Sequence, residues 1–187
     1  MSQARIAPLQ PPYQPETAAM LAKWMPPGAA VEPLVLFRTL AVHDELFSRM
    51  RPLGAGILGH PRLEPRDREI LILRTCARSG AEYEWGVHAE TFGRPLGLTD
   101  QQIAATAAGQ ADDPAWSAAD AQLVAAADAL YDTDTLPDQL WDALVRPAPR
   151  RSAHRTRDRR RLVQAAVVRH QCRQDRARAV GTPLSTR

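Results

Sequence analysis

The chain has 187 residues, 44% of them hydrophobic, which is enough for one sizeable core, and no apolar run nears the roughly 20 residues that cross a bilayer. Its first thirty residues lack the basic start and apolar centre of a signal peptide, so the expected compartment is the cytoplasm. The formal net charge of +3 conceals an asymmetry: residues 1–145 carry 11 basic and 19 acidic side chains, residues 146–187 carry 13 arginines and two aspartates, and so abrupt a shift marks a boundary.

Residues 1–30 hold Pro8, Pro11, Pro12, Pro15, Pro26 and Pro27, which remove amide donors and fix extended or turn geometry. They are expected to form a wrapping arm, interrupted by a short helix around Glu16 to Trp24. From Pro33 to Met50, Leu36, Leu40, Leu46 and Phe47 recur at helical spacing and predict the first long helix. Arg51-Pro52-Leu53-Gly54-Ala55-Gly56 should end it, with a loop running on to Pro61. Pro65 suits the first turn of the next helix, where Arg66, Asp67, Arg68 and Glu69 precede the apolar run Ile70 to Leu73 and Gly80 closes the element. A helix over Ala81 to Phe92 follows, and Gly93, Pro95 and Gly97 break it. Thr99 with Gln102 reads as a capping box for another helix. Ser117 or Ala118 to Tyr131, and Pro137 to Val145, complete five or six helices with short connections. No strand pattern alternates over a useful length, so the class is all-α.

The chemistry concentrates on the helix carrying Arg68, Glu69 and Arg74 and on the next one, Glu82-Tyr83-Glu84-Trp85-Gly86-Val87-His88. Helical spacing puts Glu84 and His88 one turn apart, so carboxylate and imidazole can touch. A histidine beside a glutamate suits proton donation near neutral pH, because the carboxylate holds the imidazolium and orients its tautomer. Glu69 could relay a proton or fix His88, and Arg68 or Arg74 could hold a substrate carboxylate through paired N–H donors. Each residue also has a structural reading. A Glu–His pair stabilises a helix by ~0.2–0.5 kcal/mol without any catalysis, and Glu69 near a helix start complements the macrodipole. Arg68 and Arg74 could instead pair with Glu69 or Asp67. Tyr83 and Trp85 suit a core or an interface, with Tyr83 also a candidate for lining a pocket. Glu69, Glu84 and His88 are potential metal ligands, but neither Glu-x-x-His nor His-Glu-x-x-His occurs, so no metal is expected.

Taken together, Arg66-x-Arg68-Glu69 before an apolar helix, Tyr83-Glu84-Trp85 with His88, and Gly97-Leu98-Thr99 with Gln102-Ile103 resemble the carboxymuconolactone decarboxylase family, which includes the alkylhydroperoxidase D-like proteins. The likeness covers roughly residues 31–145. It implies an alkylhydroperoxidase D-like helical bundle assembled as a trimer or hexamer. The peroxidase branch of that family has a glutamate on the first helix, a Cys-x-x-Cys at the start of the second and a histidine four residues on. Glu69 and His88 match the glutamate and the histidine, whereas the cysteine positions fall on Ala81 and Glu84. Neither can ionise to attack peroxide or resolve the product. Cys76 lies inside the preceding helix and Cys172 in the tail, and no CxxC pair exists. The resemblance to the decarboxylase branch implies chemistry without thiol, metal or organic cofactor: a lactone ring carbon is protonated as carbon dioxide leaves. Three functions are compatible with these residues. The first is acid–base work on a small lactone or keto-acid by Glu69, Glu84 and His88, with Tyr83, Arg68 and Arg74 toward substrate. The second is hydroperoxide reduction through Cys76 or an external thiol, and the third is a non-catalytic scaffold or a tail-driven nucleic-acid binder.

The tail, residues 146–187, departs from the family. After Leu140-Trp141-Asp142-Ala143-Leu144 another long apolar helix is usual; here Arg146-Pro147-Ala148-Pro149-Arg150-Arg151 follows. A basic extension for nucleic acid or acidic lipid is one reading, which the lack of aromatic residues for base stacking argues against. The preferred reading is a shift of frame near Leu144 or Val145, since GC-rich DNA read out of frame is rich in arginine, alanine and proline codons.

Overall fold

The protein is described from a computed structural model over residues 6–25, 31–59 and 63–145. Expectations about residues 146–187, including the frame-shift and nucleic-acid readings, lie outside the described residues. Among the described residues every regular element is helical, so the fold is all-α. The elements are α1 (Pro15–Ala22), α2 (Val35–Leu40), α3 (Asp44–Gly59), α4 (Pro65–Ser79), α5 (Glu82–His88), a π-helical turn (Ala89–Gly93), α6 (Asp100–Ala108), α7 (Ala118–Thr133) and α8 (Asp138–Val145).

The described residues fall into two compact units, one ending by residue 59 and the other starting at residue 63. In the first, Leu21 of α1, Ala41 and Phe47 form a small buried cluster, against which Leu9, Tyr13, Trp24 and Phe37 pack. Trp24 stacks on Phe47 with ring centroids 4.8 Å apart and planes 9° from parallel. The proline-rich arm therefore supplies core residues of this unit, and Arg38 anchors it by donating to the carbonyl of Leu9 and the side chain of Gln10.

Two expectations fail here. The helix predicted over Pro33 to Met50 is two helices, because the chain turns at Ala41-Val42-His43 and restarts with the Leu46 amide donating to His43 Nδ1. The predicted stop at Pro52 does not occur either, and α3 runs through it to Gly59. Interior proline removes one backbone hydrogen bond and crowds the carbonyl four residues back, so the continuation of α3 through Pro52 overrides a local signal to stop. The glycine at 54 has a packing reason, since a Cβ there would stand 3.1 Å from Trp24 Cζ3.

In the second unit α4 is the central element. Ile70 to Thr75 are buried without a break, and α4 packs on α5, α6 and α7. Ile70 and Leu73 join Ala89, Leu98, Ile103 and Val124 in one core cluster, while Leu71 meets Leu63, Ala127 and Leu130 in another. An enclosed helix of this kind reads as an unbroken apolar run rather than as a stripe. Gly80, in the left-handed conformation at φ 66°, ends it as expected.

Ion pairs tie α4 to α7, three of them in a regular series. Arg66 binds Asp120 through two donors at 2.8 and 3.2 Å, Arg74 binds Asp128 at 2.7 and 2.9 Å, and Arg78 binds Asp132. Each pair is 54 positions apart, so the two helices advance together and run parallel. At Asp120 burial pushes the carboxyl up, but the bonds from Arg66 and Ser117 outweigh it and hold it below its ordinary range. The capping box is present: Thr99 accepts from the Gln102 amide, and Gln102 accepts from the Thr99 amide, both at 3.2 Å.

Candidate functional site

Glu69 is the fifth residue of α4 and has no solvent exposure. A carboxylate serving only the helix macrodipole would sit in water, so its burial needs partners. It has them. Oε1 accepts from Nε and Nη2 of Arg68, each at 2.9 Å, and Oε2 lies 2.7 Å from Nδ1 of His88.

His88 ends α5, a short helix that starts after the tight turn at Gly80. Its other nitrogen, Nε2, lies 3.4 Å from Oε1 of Glu84, one turn back on the same helix. The contact read from the spacing is therefore present, although it is the longer of the two. The second oxygen, Glu84 Oε2, is buried with no hydrogen-bond partner. Beyond His88 the chain opens into the π-helical turn, with the Arg94 amide donating to the Ala89 carbonyl five residues back. A single helix was expected from Ala81 to Phe92; the wider turn replaces its last third. It carries Phe92, whose ring sits 5.1 Å from the His88 ring and is tilted 36° to it. Sequence reasoning gave Phe92 no part in the site, though its position one turn past His88 was a usable signal.

The result is a line of alternating charge, Arg68–Glu69–His88–Glu84. His88 is only 8% exposed. Burial by itself pulls the imidazole down, but the hydrogen bonds to Glu69 and Glu84, and then their charges, overcome it and raise His88 from 6.5 to about 9. The histidine is consequently an imidazolium at neutral pH, with Nδ1–H committed to Glu69 and Nε2–H facing the weaker contact with Glu84. Such a group can give up the Nε2 proton while Nδ1 stays anchored. Both nitrogens face carboxylates, and among the described residues no group of three His, Cys, Asp or Glu side chains is disposed to hold a metal ion.

Of the other candidates, Arg74 is not brought to His88. It donates to Asp128 and to the carbonyls of Thr106 and Gly109, so all three of its nitrogens are engaged in joining α4 to α6 and α7. Arg68 does join the group, through Glu69. Tyr83 is 49% exposed, about 100° around α5 from Glu84. Trp85 packs against the core and donates from Nε1 to Thr106 Oγ1 at 2.9 Å. Ala81 stands at the N-terminus of α5, and Cys76 is fully buried in α4.

In comparison with known proteins, residues 44–129 fit the family described as the carboxymuconolactone decarboxylase family. The match runs from the first residue of α3 to near the end of α7 and includes all four members of the charged line. No curated protein and no solved structure matches the chain.

Proposed function

From the match of residues 44–129 to the carboxymuconolactone decarboxylase family, we propose that the chain is a cofactor-independent lyase of the decarboxylase kind, acting on a small lactone or keto-acid. The observation that carries this reading is His88, buried, charged at neutral pH and held at Nδ1 by Glu69 at 2.7 Å. In the proposed reaction the bond between the substrate's ring carbon and its carboxylate breaks, and carbon dioxide leaves. The released electron pair delocalises into the conjugated carbonyl, and His88 delivers its Nε2 proton to the ring carbon. Glu69 stabilises the imidazolium before transfer and keeps the neutral ring in place afterwards. Glu84, with one oxygen near Nε2 and the other unpartnered, is suited to return a proton to His88 between turnovers.

Positioned acid–base catalysis contributes about 10²–10⁴-fold. The test is a turnover assay across a panel of small carboxylated lactones and keto-acids, comparing the wild type with His88→Ala. The reading expects a loss of that order for any substrate turned over. A substrate consumed equally by both proteins overturns it. Hydroperoxide reduction is the weaker reading, because Ala81 and Glu84 supply no thiol and Cys76 is shut off from solvent. The proposed unit spans residues 31–145, works as a homo-oligomer and takes its substrate from solution. Among the described residues no helix is long and apolar enough to cross a membrane.

A further inference from the structure

Arg68 adjoins Glu69 in sequence, is 6% exposed, and sends two donors to a single oxygen of that neighbour. The other oxygen of Glu69 is the one that meets His88. Resting on the reading of His88 as the proton donor, we propose that Arg68 is a positioning residue rather than a substrate ligand: it clamps Oε1 of Glu69, and so keeps that carboxylate ionised and Oε2 aimed at the Nδ1 proton of His88.

The physical reason lies in the burial of Glu69. A carboxylate and an imidazole taken out of water together can exist as an ion pair or as a neutral carboxyl and a neutral imidazole, and low polarity favours the neutral pair. A guanidinium on the far oxygen reverses the preference, because it stabilises the carboxylate and keeps its own charge throughout the neutral range. The position of the contact matters as well, since pinning Oε1 limits rotation of the carboxylate about its Cγ–Cδ bond and with it the direction of Oε2. Glu84 contributes the second negative charge beside the imidazole, at 3.4 Å from Nε2. Without Arg68 the Nδ1 proton crosses to Oε2, leaving a neutral histidine with a bare Nδ1 and a protonated Glu69. No atom is gained or lost in that transfer.

The experiment uses the resting full-length protein and needs no substrate, so its outcome is independent of whether the lyase reading holds. Nitrogen NMR of His88 at neutral pH, with infrared detection of a protonated carboxyl group, is compared for the wild type, Arg68→Gln and Arg68→Lys. The expected results are an imidazolium in the wild type, a neutral ring with a new carboxyl carbonyl band in Arg68→Gln, and recovery of the imidazolium in Arg68→Lys. A folded Arg68→Gln that keeps a fully charged His88 overturns the proposal. Should that variant not fold, Glu69→Gln and the double variant Arg68→Gln/Glu69→Gln decide, since the double change also removes the buried charge. Arg68 acting only through Glu69 predicts the same His88 state in both, and a different state in the double variant overturns it.

Discussion

Glu69 and His88 are 19 positions apart on two different helices, yet Oε2 of the first lies 2.7 Å from Nδ1 of the second, with the carboxylate fully shielded from water. Together with the contact to Glu84, this contact turns an imidazole that burial alone would discharge into a charged group at neutral pH, and it makes the stability of the site depend on one proton.

Stability should therefore fall on the alkaline side. His88 is raised from 6.5 to about 9, so the folded protein binds this proton more tightly than the unfolded chain does. A raised value gives stabilisation that is complete below about pH 6.5 and is lost as pH climbs through about 9. Each tenfold gain in proton affinity is worth about 1.4 kcal/mol, so the loss is on the order of 3 kcal/mol. Urea denaturation from about pH 6.5 to about pH 10 should reveal it in the wild type, with a much shallower slope in His88→Gln. Parallel slopes in the two proteins would assign the effect to other groups.

Glu84→Gln should move His88 back toward its ordinary value, because it removes one of the two carboxylates that oppose the effect of burial. The imidazole resonances, followed by NMR, should titrate at lower pH than in the wild type. Any turnover that requires the charged imidazole should lose its alkaline limb at correspondingly lower pH. An unmoved titration would mean that the 3.4 Å contact contributes no charge stabilisation.

Asp128→Ala should damage the scaffold and spare the chemistry. Arg74 is 2% exposed and rests both its Nε and an Nη on Asp128, so removing the carboxylate leaves a buried guanidinium with carbonyl partners but no counter-ion there. Breaking a buried pair from one side costs about 3–5 kcal/mol. The change should appear as a lower denaturation midpoint, while kcat per folded molecule at low temperature stays at the wild-type level. A selective rise in KM would instead place Arg74 and Asp128 at the substrate.

Cys76 should resist alkylation in the native protein. Its side chain has no solvent exposure, and thiol reactivity requires an accessible thiolate. Iodoacetamide labelling mapped by mass spectrometry should modify Cys76 in denaturant and leave it untouched without denaturant. Native labelling as fast as that of an unfolded control would reopen the hydroperoxide reading.

Much of the fold was legible in the sequence wherever one local signal decided the outcome. Pro65 and Gly80 bracket α4, and Thr99 and Gln102 cap α6, each through effects that act within a few residues. The spacing of Glu84 and His88 foretold their contact for the same reason. Local signals misled where packing overrode them, as when α3 ran through Pro52 and the chain widened into a π-helical turn after His88.

What sequence by itself determined is which residues could do proton chemistry and which helix each belongs to, because backbone hydrogen bonding and side-chain period act over a single turn. Only tertiary structure decided the partners. It set Arg68 on Glu69, Glu69 on His88 and Arg74 on Asp128, because those choices depend on how α4 lies against α5 and α7. Charge and hydrogen-bonding capacity are written into each side chain, but the low dielectric that makes them matter exists only after the helices have packed.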